Sequence, residues 1–596
     1  MLPEGSPKLG AVQGAMDELF VPEATESGSG ADTRPADGLR SFRGICGGVL
    51  DDARRRSRHC GADYTTGVRS WQLTLSAACF MFLATFFSTV ALGAHVQDVT
   101  ANRIGLSEYL LMNSIAGIFH SLVGAQPLLV LRPTGPITAI LQKLSELADA
   151  LELNFFALLA AVGLFVGLLL GVAASLELSR HIRRLTRFTH DVFACFVCSI
   201  YVYEGISSMA KRFSDDHSAL DGSRGSDFGD ALFGCICTVA TVKMALVLSG
   251  AERWGALPPR VAEFLARYAV TIAVLAVTLI SLWAPAADGV ERILLFEKGS
   301  FGPTCYLDPS YLDPTRDASS IGPSSLDASS LDASSIGPSS IDTIIRNAPA
   351  TPVCVDGEHA AYGETSRAWF VYAMGEGTWS SSTPLLLGVA ALVSFPISFF
   401  FYLDQNISSL LCQQKQLNLS RGHYYHGSLM AIAALNVFGP ALGLPFVTGS
   451  LPHSPQFVKA LTNLDGTVAE NRVAPLICNL LLGLSLLLPA AIELLPNSAT
   501  NGVLIFVGIE GLISTDLWRR TLLLCAPPSL WEPQLREVRM RAFTLIQLGA
   551  LAVCWAINLS PAGLCVAIFI IALVPLRRYL MPRIFSVHDL ALLDPE

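Results

Sequence analysis

Apolar runs long enough to cross a lipid bilayer recur along this chain and constrain its fold more than any other feature. A transmembrane helix needs roughly 17 to 25 mostly apolar residues, and fourteen segments approach that pattern. The 596 residues are 52% hydrophobic and only 15% charged. Soluble domains carry about a quarter charged residues. The sequence therefore predicts an all-α polytopic membrane protein embedded in a lipid bilayer.

The apolar segments form two sets of seven on either side of a long polar insert at 284–382. An odd number of crossings in each set gives the two halves opposite orientations, so the pattern predicts inverted repeats at 71–283 and 383–576. The predicted segments are 71–94, 106–123, 134–148, 153–176, 190–211, 229–250, 261–283, 383–411, 427–444, 451–463, 474–495, 500–517, 540–558 and 561–576.

The two ends of the chain are predicted to lie on the cytoplasmic side. Residues 1–42 are rich in Gly, Ser and Pro and are expected to be a disordered tail without a cleavable signal peptide. Basic stretches follow the fourth, eighth, twelfth and fourteenth segments. Because positive residues favour the cytoplasmic side, they place the 577–596 tail inside and the insert outside.

Residues 43–70 precede the first apolar segment and are predicted to form an amphipathic juxtamembrane segment. The arginines expected to face the lipid headgroups are Arg54, Arg55, Arg56 and Arg58.

The polar insert contains the repeat "DASSIGPSSLDASSLDASSIGPSSID" at 317–342, which is typical of a flexible spacer. Its two cysteines, Cys305 and Cys354, bracket the repeat and are predicted to form a disulfide. Closing a loop of that length stabilises a fold by roughly 4 kcal/mol in the chain-entropy account.

The third and tenth segments are interrupted by Pro, Gly, Ser and Thr at matching places in the two sets. The third reads "QPLLVLRPTGPITAILQKL" (126–144) and the tenth "LPFVTGSLPHSPQFVKALTNL" (444–464). A helix that begins at membrane depth leaves its first N–H groups unpaired and carries partial positive charge there. Two such half-helix starts facing each other predict an anion site, whereas the alternative is a pair of unrelated proline kinks.

The sequence lacks the residue patterns of the common enzyme classes. It contains no Ser/His/Asp arrangement, HExxH motif, phosphate-binding loop or paired cysteines with zinc spacing. No basic, aromatic-interleaved patch indicates nucleic acid. We therefore expect neither an enzyme nor a metal or cofactor site, and any transport must be secondary, with sodium or proton coupling left open.

The chain resembles the bicarbonate-transporter family, which contains anion exchangers, sodium-bicarbonate cotransporters and borate exporters. The motifs that carry the resemblance are "LVGAQPLLVL" (122–131), "NRIGLSEYLL" (102–111), "FFFYLDQNISSLL" (399–411), "RGHYYHGSLM" (421–430), "PHSPQFVKAL" (452–461), "RRTLLLCAPP" (519–528) and "VPLRRYLMPRIF" (574–585). The resemblance implies fourteen helices in seven-plus-seven inverted repeats, core and gate domains, and a homodimer in the plasma membrane. It implies transport of bicarbonate or carbonate, by exchange with chloride or with sodium coupling; borate efflux and an anion channel are the alternatives.

The sequence departs from the family at several positions. Arg132 stands where the family usually has glycine, and His453 where the exchangers have arginine and borate exporters tend to have glutamine. Asp404 matches the aspartate of the sodium-coupled carriers and borate exporters, whereas the exchangers have glutamate. We expect no counterpart of the large N-terminal domain of animal members, a domain that borate exporters also lack, and none in the family for the repeat insert.

The predicted substrate-binding residues surround the two half-helix starts and a polar face of the first segment. They are Arg132, Pro133, Thr134, Gly135, Asp404, Thr448, Gly449, Ser450, His453, Ser454, Thr85 and Ser88.

Four of these residues have competing interpretations. Arg132 either supplies positive charge to the site, or it snorkels to the inner membrane surface or pairs with a distant carboxylate, since an unpaired arginine at mid-bilayer costs roughly 2.5–3.5 kcal/mol. Asp404 either binds a coupling cation or proton, or is the structural partner of Arg132. His453 is either a coupling charge or a neutral hydrogen-bonded side chain. The hydroxyls of Thr85 and Ser88 either line the cavity or bond their own helix backbone.

Overall fold

The computed structural model describes most of the chain outside the N-terminal tail and the insert. The described residues are 45–184, 186–215, 224–255, 257–283, 383–463, 465–525, 539–560 and 562–594, with isolated positions between them. The predicted Cys305–Cys354 pair and the repeat lie outside the described residues.

Helices occupy the predicted apolar segments, together with short flanking helices. They are α1 (Gly47–Ser57), α2 (Cys60–Arg69), α3 (Trp71–Val99), α4 (Leu106–Val123), α5 (Gly135–Ala150), α6 (Phe155–Ser175), α7 (Arg187–Asp215), α8 (Arg224–Ser249), α9 (Pro259–Arg267), α10 (Ala269–Trp283), α11 (Thr383–Cys412), α12 (His426–Ala441), α13 (His453–Ala460), α14 (Val473–Ser485), α15 (Pro489–Ile492), α16 (Asn497–Ile513), α17 (Asp516–Leu524), α18 (Met540–Leu559), α19 (Val566–Pro575), α20 (Met581–Ile584) and α21 (Val587–Leu593).

In the described part of the chain, four two-residue strands pair in two antiparallel sheets. They are β1 (Leu131–Arg132), which pairs with β4 (Thr448–Gly449), and β2 (Tyr306–Leu307), which pairs with β3 (Glu364–Thr365).

Among the described residues, seven helices are long and apolar enough to cross a bilayer, or nine if each bent pair is one span. The pair α9–α10 is bent by 70° and the pair α16–α17 by 78°. The half-helices α5 and α13 have 16 and 8 residues, too few for the roughly 20 that a full crossing needs. The protein is thus a polytopic helical membrane protein, and its count of fourteen spans stays a prediction.

The helices pack in pairs that relate the two sets of segments. Helix α12 packs along α6 and α14 packs along α4; α16 packs along α7 and α8, and α18 packs on α7. The contact between α6 and α12 requires glycine, because a Cβ at Gly163 would lie 2.7 Å from the Asn436 carbonyl oxygen and one at Gly167 the same distance from the Ala433 oxygen. Small residues allow such close helix approach in membranes.

The juxtamembrane segment differs from its prediction because two of its arginines form ion pairs with carboxylates of the protein. Arg54 and Arg58 are exposed, and their contact with lipid headgroups stays a prediction. Arg55 instead pairs with Asp51 at 2.6 Å and Asp52 at 2.8 Å. Arg56 is buried and donates to Asp63 at 2.7 Å.

Asp63 of α2 is the centre of a buried ionic cluster that ties the juxtamembrane helices to the rest of the protein. Its carboxylate accepts from Arg56, from Arg421 and, at 3.1 Å, from Arg472. Arg472 also donates at 2.8 Å to the carbonyl oxygens of Ser121 and Gly124, where α4 ends. The cluster therefore anchors the chain just before it enters the broken third segment.

The predicted C-terminal tail is also structured where it is described. Asp594 is buried, pairs with Arg577, and accepts from the backbone N–H of Phe188 at 2.8 Å. A carboxylate at this position stabilises the start of α7 through the helix dipole. The tail therefore folds back and caps α7, a helix that carries part of the candidate site.

Replacement of Asp63 by asparagine is expected to destabilise the protein by about 3–5 kcal/mol, since it leaves buried arginines without their carboxylate. Thermal unfolding of the detergent-purified chain measures the effect. Asp465→Asn is the control, because Asp465 lies in an exposed turn and its bonds to Thr467 can be kept by an amide oxygen. Equal melting temperatures for the two variants would contradict a stabilising role for the cluster.

Candidate functional site

The two broken segments meet at the short β1–β4 sheet. Leu131 lies opposite Gly449 and Arg132 lies opposite Thr448. The backbone N–H of Ser450 donates to the Val130 carbonyl at 2.8 Å. The two stretches of unwound backbone thus satisfy each other's hydrogen bonds, and α5 and α13 begin from the ends of the sheet.

The first residues of α5 present polar groups to a cavity. Thr134 precedes α5 in an extended conformation, and Pro136 occupies an early position where its missing N–H costs no hydrogen bond. The Thr134 hydroxyl is buried and has no hydrogen-bond partner among the described residues. The N–H of Gly135 donates to the hydroxyl of Tyr201 on α7, at 2.9 Å.

The polar groups at the start of α13 bond within their own segment and with Val130 of the third segment. Ser450 and His453 bond each other, with 2.8 Å between Oγ and Nδ1. The Ser454 hydroxyl donates to the Ser450 carbonyl at 2.7 Å and accepts from the Val130 N–H at 3.1 Å. His453 is therefore a hydrogen-bonded, buried side chain in this conformation.

Arg132 lies behind the half-helix starts, against α3. It is only 2% exposed, and its Nη1 donates to the Ser88 hydroxyl at 2.6 Å. Its Nε donates to the Pro133 carbonyl at 3.2 Å. The described residues place no carboxylate within ion-pair distance, so the alternative of a salt bridge between Arg132 and Asp404 is not observed.

Asp404 of α11 faces the cavity. Its side chain is 2% exposed, and its Oδ2 has no hydrogen-bond partner in the described part of the chain. One helical turn further on, the Ser408 hydroxyl donates to the Gly449 carbonyl at 2.7 Å and fixes β4 against α11. A buried carboxylate oxygen without a partner can accept a proton or coordinate a cation.

The hydroxyls of Thr85 and Ser88 bond the backbone of their own helix. Thr85 donates to the Met81 carbonyl at 2.7 Å and Ser88 to the Ala84 carbonyl at 3.0 Å. Ser88 additionally accepts from Arg132. Of the two interpretations for this pair, the structure favours bonding to the helix backbone. Ser88 has a second role, because its hydroxyl also holds the Arg132 guanidinium.

A cavity of about 460 Å³ lies beside the two half-helix starts. Of the predicted site residues it is lined by Thr134, Asp404 and Ser450. The other predicted residues lie around rather than on its wall: Arg132, Pro133, Gly135, Thr448, Gly449, His453, Ser454, Thr85 and Ser88.

The residues of the opposite wall of the cavity were not predicted from the sequence. It consists of α7 residues such as Tyr201 and Cys198 and of α16 residues such as Val507 and Gly511. The polar residues of this wall and its rim include Arg187, His190, Asp191, Thr515 and Asp516. A tyrosine in a mostly apolar segment was the one available signal for Tyr201.

The fold and the site define a class: a helical membrane protein in which two broken helices start beside a partly open cavity that has a mostly apolar lining and a few polar side chains. The family described as "HCO3- transporter integral membrane domain" matches residues 44–227 and 336–596. The chain belongs to this family, which confirms the resemblance seen in its motifs.

Relatives with known names are similar along most of this chain. Band 3 anion transport protein of Rattus norvegicus is 23% identical, covering 96% of this chain and 57% of the relative. Anion exchange protein 2 of Equus caballus is 25% identical, over 94% and 44% of the two chains. Anion exchange protein 3 of Homo sapiens is 25% identical, over 96% and 45%. The chain spans about half the length of these relatives.

Two solved structures are also similar. The transmembrane domain of the cyanobacterial bicarbonate transporter BicA has a TM-score of 0.48 at 14% identity, covering 81% of this chain and 97% of that one. The structure of SLC26A9 has a TM-score of 0.43 at 12% identity, covering 93% and 73%.

Substitution of Gly135 by alanine is expected to destabilise the site by roughly 1–3 kcal/mol through overpacking. A Cβ there would lie 2.5 Å from a ring carbon of Tyr201, so the ring or the start of α5 must move. The melting temperature of the purified variant checks this. Gly549→Ala on α18 is the control, because a Cβ there meets nothing within 4 Å and alanine favours the helix. A Gly135→Ala protein that melts with the parent would show that the contact is loose.

Proposed function

We propose that this protein is a secondary-active transporter of small inorganic anions, with bicarbonate or carbonate as the principal substrate. The observation that carries the proposal is the meeting of the α5 and α13 starts beside a cavity that also holds Asp404. Helix starts bind anions through their free N–H groups and dipoles. The family membership and the anion-exchanger relatives support the same substrate class.

The transport mechanism we propose is elevator-like alternating access. The core would comprise α3–α6 and α11–α14, and the gate α7–α10 and α16–α19. The paired packing of α12 with α6 and of α14 with α4 supports two inverted repeats of seven spans. The cavity lies between core and gate elements, so a sliding of one against the other would carry its contents across the membrane.

The residues proposed to bind the anion remain the predicted set, now divided by position. We assign contact with the anion to Thr134 and Ser450, which line the cavity, and to the N–H of Gly135, which bonds the cavity-lining Tyr201. Arg132 acts from behind by its charge, which a low-dielectric interior screens weakly. The protein is further proposed to be a plasma-membrane homodimer with both termini in the cytoplasm.

Charge balance couples the anion to a cation. With Arg132 charged and Asp404 ionised, the site is close to neutral and a monovalent anion binds weakly. A proton or sodium ion at Asp404 makes the site net positive and strengthens anion binding. By linkage, the anion then strengthens binding of the cation by the same factor.

The direct test is flux in proteoliposomes that contain the purified chain. Labelled bicarbonate, chloride and borate are each measured with and without sodium. Saturable bicarbonate flux that depends on chloride or sodium supports the proposal. Borate flux alone would replace bicarbonate as the substrate, and flux that does not saturate would indicate a channel.

Arg132→Ala is expected to lower anion flux at least about tenfold, because charged hydrogen-bonding groups contribute roughly 1.5–3 kcal/mol. Arg132→Gly, which restores the usual family residue, should be equally impaired. Adding His453→Arg to Arg132→Gly should restore part of the flux, since it returns a positive charge to the site. Normal flux by Arg132→Ala would remove the charge from the mechanism.

Asp404→Asn mimics the protonated carboxylate and is expected to keep bicarbonate–chloride exchange while losing any stimulation by sodium or by acid. The measurement is flux against external pH, with and without sodium, for the parent and the variant. Asp465→Asn, in the exposed turn, provides a control for a carboxylate lost elsewhere. Identical sodium and pH dependence in parent and Asp404→Asn would exclude Asp404 from coupling.

A further inference from the structure

Tyr201 forms a hydrogen bond that an anion would otherwise form. Its hydroxyl oxygen accepts from the N–H of Gly135, the first residue of α5, at 2.9 Å. The same N–H is one of the groups that make a helix start an anion site. Tyr201 lines the cavity together with Thr134 and Asp404.

The fit between the two residues is specific. Tyr201 packs directly over Gly135, where the lack of a side chain leaves room for the ring. The ring therefore covers Gly135, and the hydroxyl is the polar atom of Tyr201 that bonds the helix start. Nearby, the Thr134 hydroxyl and the Asp404 Oδ2 are both buried and have no hydrogen-bond partner among the described residues. The helix start thus lies beside two polar groups, in an otherwise mostly apolar cavity, that still have bonding capacity for a ligand.

The hydrogen bond joins two bodies that must separate. Gly135 belongs to α5, whose strand β1 pairs with β4. Tyr201 belongs to α7, which packs along α16 and is capped by the C-terminal Asp594. Under the proposed elevator mechanism, α5 moves with the core and α7 stays with the gate. The bond must then break before the core can cross.

We propose that the Tyr201 hydroxyl is a placeholder for the anion, which occupies the Gly135 N–H when the site is empty and holds the empty core against the gate. This inference rests on the proposed transport function. It assigns to Tyr201 control over the ratio of anion exchange to net anion movement. A buried N–H without an acceptor is unfavourable, so the empty core leaves Tyr201 reluctantly. An arriving anion supplies an oxygen or a halide to the same N–H and releases the hydroxyl. Movement of the loaded core is thereby favoured over movement of the empty core.

The test compares exchange with net efflux for the parent and Tyr201→Phe, each as the full chain in proteoliposomes. Vesicles loaded with labelled chloride are diluted either into chloride medium or into medium with impermeant gluconate. Phenylalanine keeps the ring over Gly135 but removes the oxygen. The ratio of efflux in chloride to efflux in gluconate is expected to fall about 3- to 10-fold, the effect of one hydrogen bond. An unchanged or larger ratio would overturn the placeholder.

Tyr203→Phe is the matched control, since it removes a hydroxyl from the same helix two residues away. Its ring stacks edge-on with Trp555 at 5.3 Å, and the residue is 47% exposed and does not line the cavity. It should keep the parent's ratio; an equal fall in Tyr203→Phe would overturn the specific role of Tyr201. Melting temperatures of both variants confirm that they are folded.

Two further outcomes separate this inference from the function on which it rests. If Tyr201→Phe does not fold, Tyr201→Leu is measured instead, with the same expected fall in ratio and the same overturning result. If the parent moves no labelled chloride or bicarbonate in either medium, the proposed function fails and the placeholder fails with it. Active exchange with an unchanged ratio removes the placeholder alone.

Discussion

The pairing of β1 with β4 is the interaction on which the rest of the structure depends. Inside a bilayer every backbone polar group needs a partner within the protein, so a helix cannot be broken at membrane depth without compensation. Here the two breaks compensate each other: Leu131 pairs opposite Gly449, and Ser450 donates to Val130. The Ser454 hydroxyl adds a further bond, which it accepts from the N–H of Val130 just before β1. Neither broken segment is satisfied without the other, which brings the two halves of the chain together at the site.

Remote anchors keep the broken segments in place. Arg103 forms a bidentate pair with Asp149 at the end of α5, at 2.5 and 3.1 Å. Arg472, held by Asp63, binds the carbonyl oxygens where α4 ends. The Arg103–Asp149 pair is partly open to solvent through Asp149, whereas Arg472 and Asp63 are both buried, so removing either partner of that second pair would leave an uncompensated charge. The start of α5 can therefore remain open to the cavity while its far end is held by Arg103 and the chain before β1 is held by Arg472.

The sequence predicted the positions of the helices and the meeting of the two half-helix starts. It did not predict which side chains bond the residues of the site. Helix α4 begins and ends at the predicted residues, because hydropathy marks where a helix meets water. Proline and glycine at matching places predicted that α5 and α13 start together. The direction of Arg132 toward Ser88, the burial of Arg56 and the approach of Tyr201 to Gly135 were not predictable, since each joins residues that are far apart along the chain. Spacing in one sequence contains no information on such distances.

The two half-helix starts look equivalent in sequence but differ in how their polar groups are satisfied. At α13, Ser450 and His453 bond each other, and Ser454 bonds Val130 just before β1, so these partners all lie in the proposed core. At α5, the first N–H has its partner on α7 and the Thr134 hydroxyl has none among the described residues. The bonds at the start of α13 are made within the proposed core, so core movement leaves them unchanged whether or not an anion is bound. The bond at the start of α5 crosses from the core to the gate, so it must be replaced when the core moves. In the proposed mechanism the α5 end therefore senses the anion, and the α13 end supplies constant positive potential.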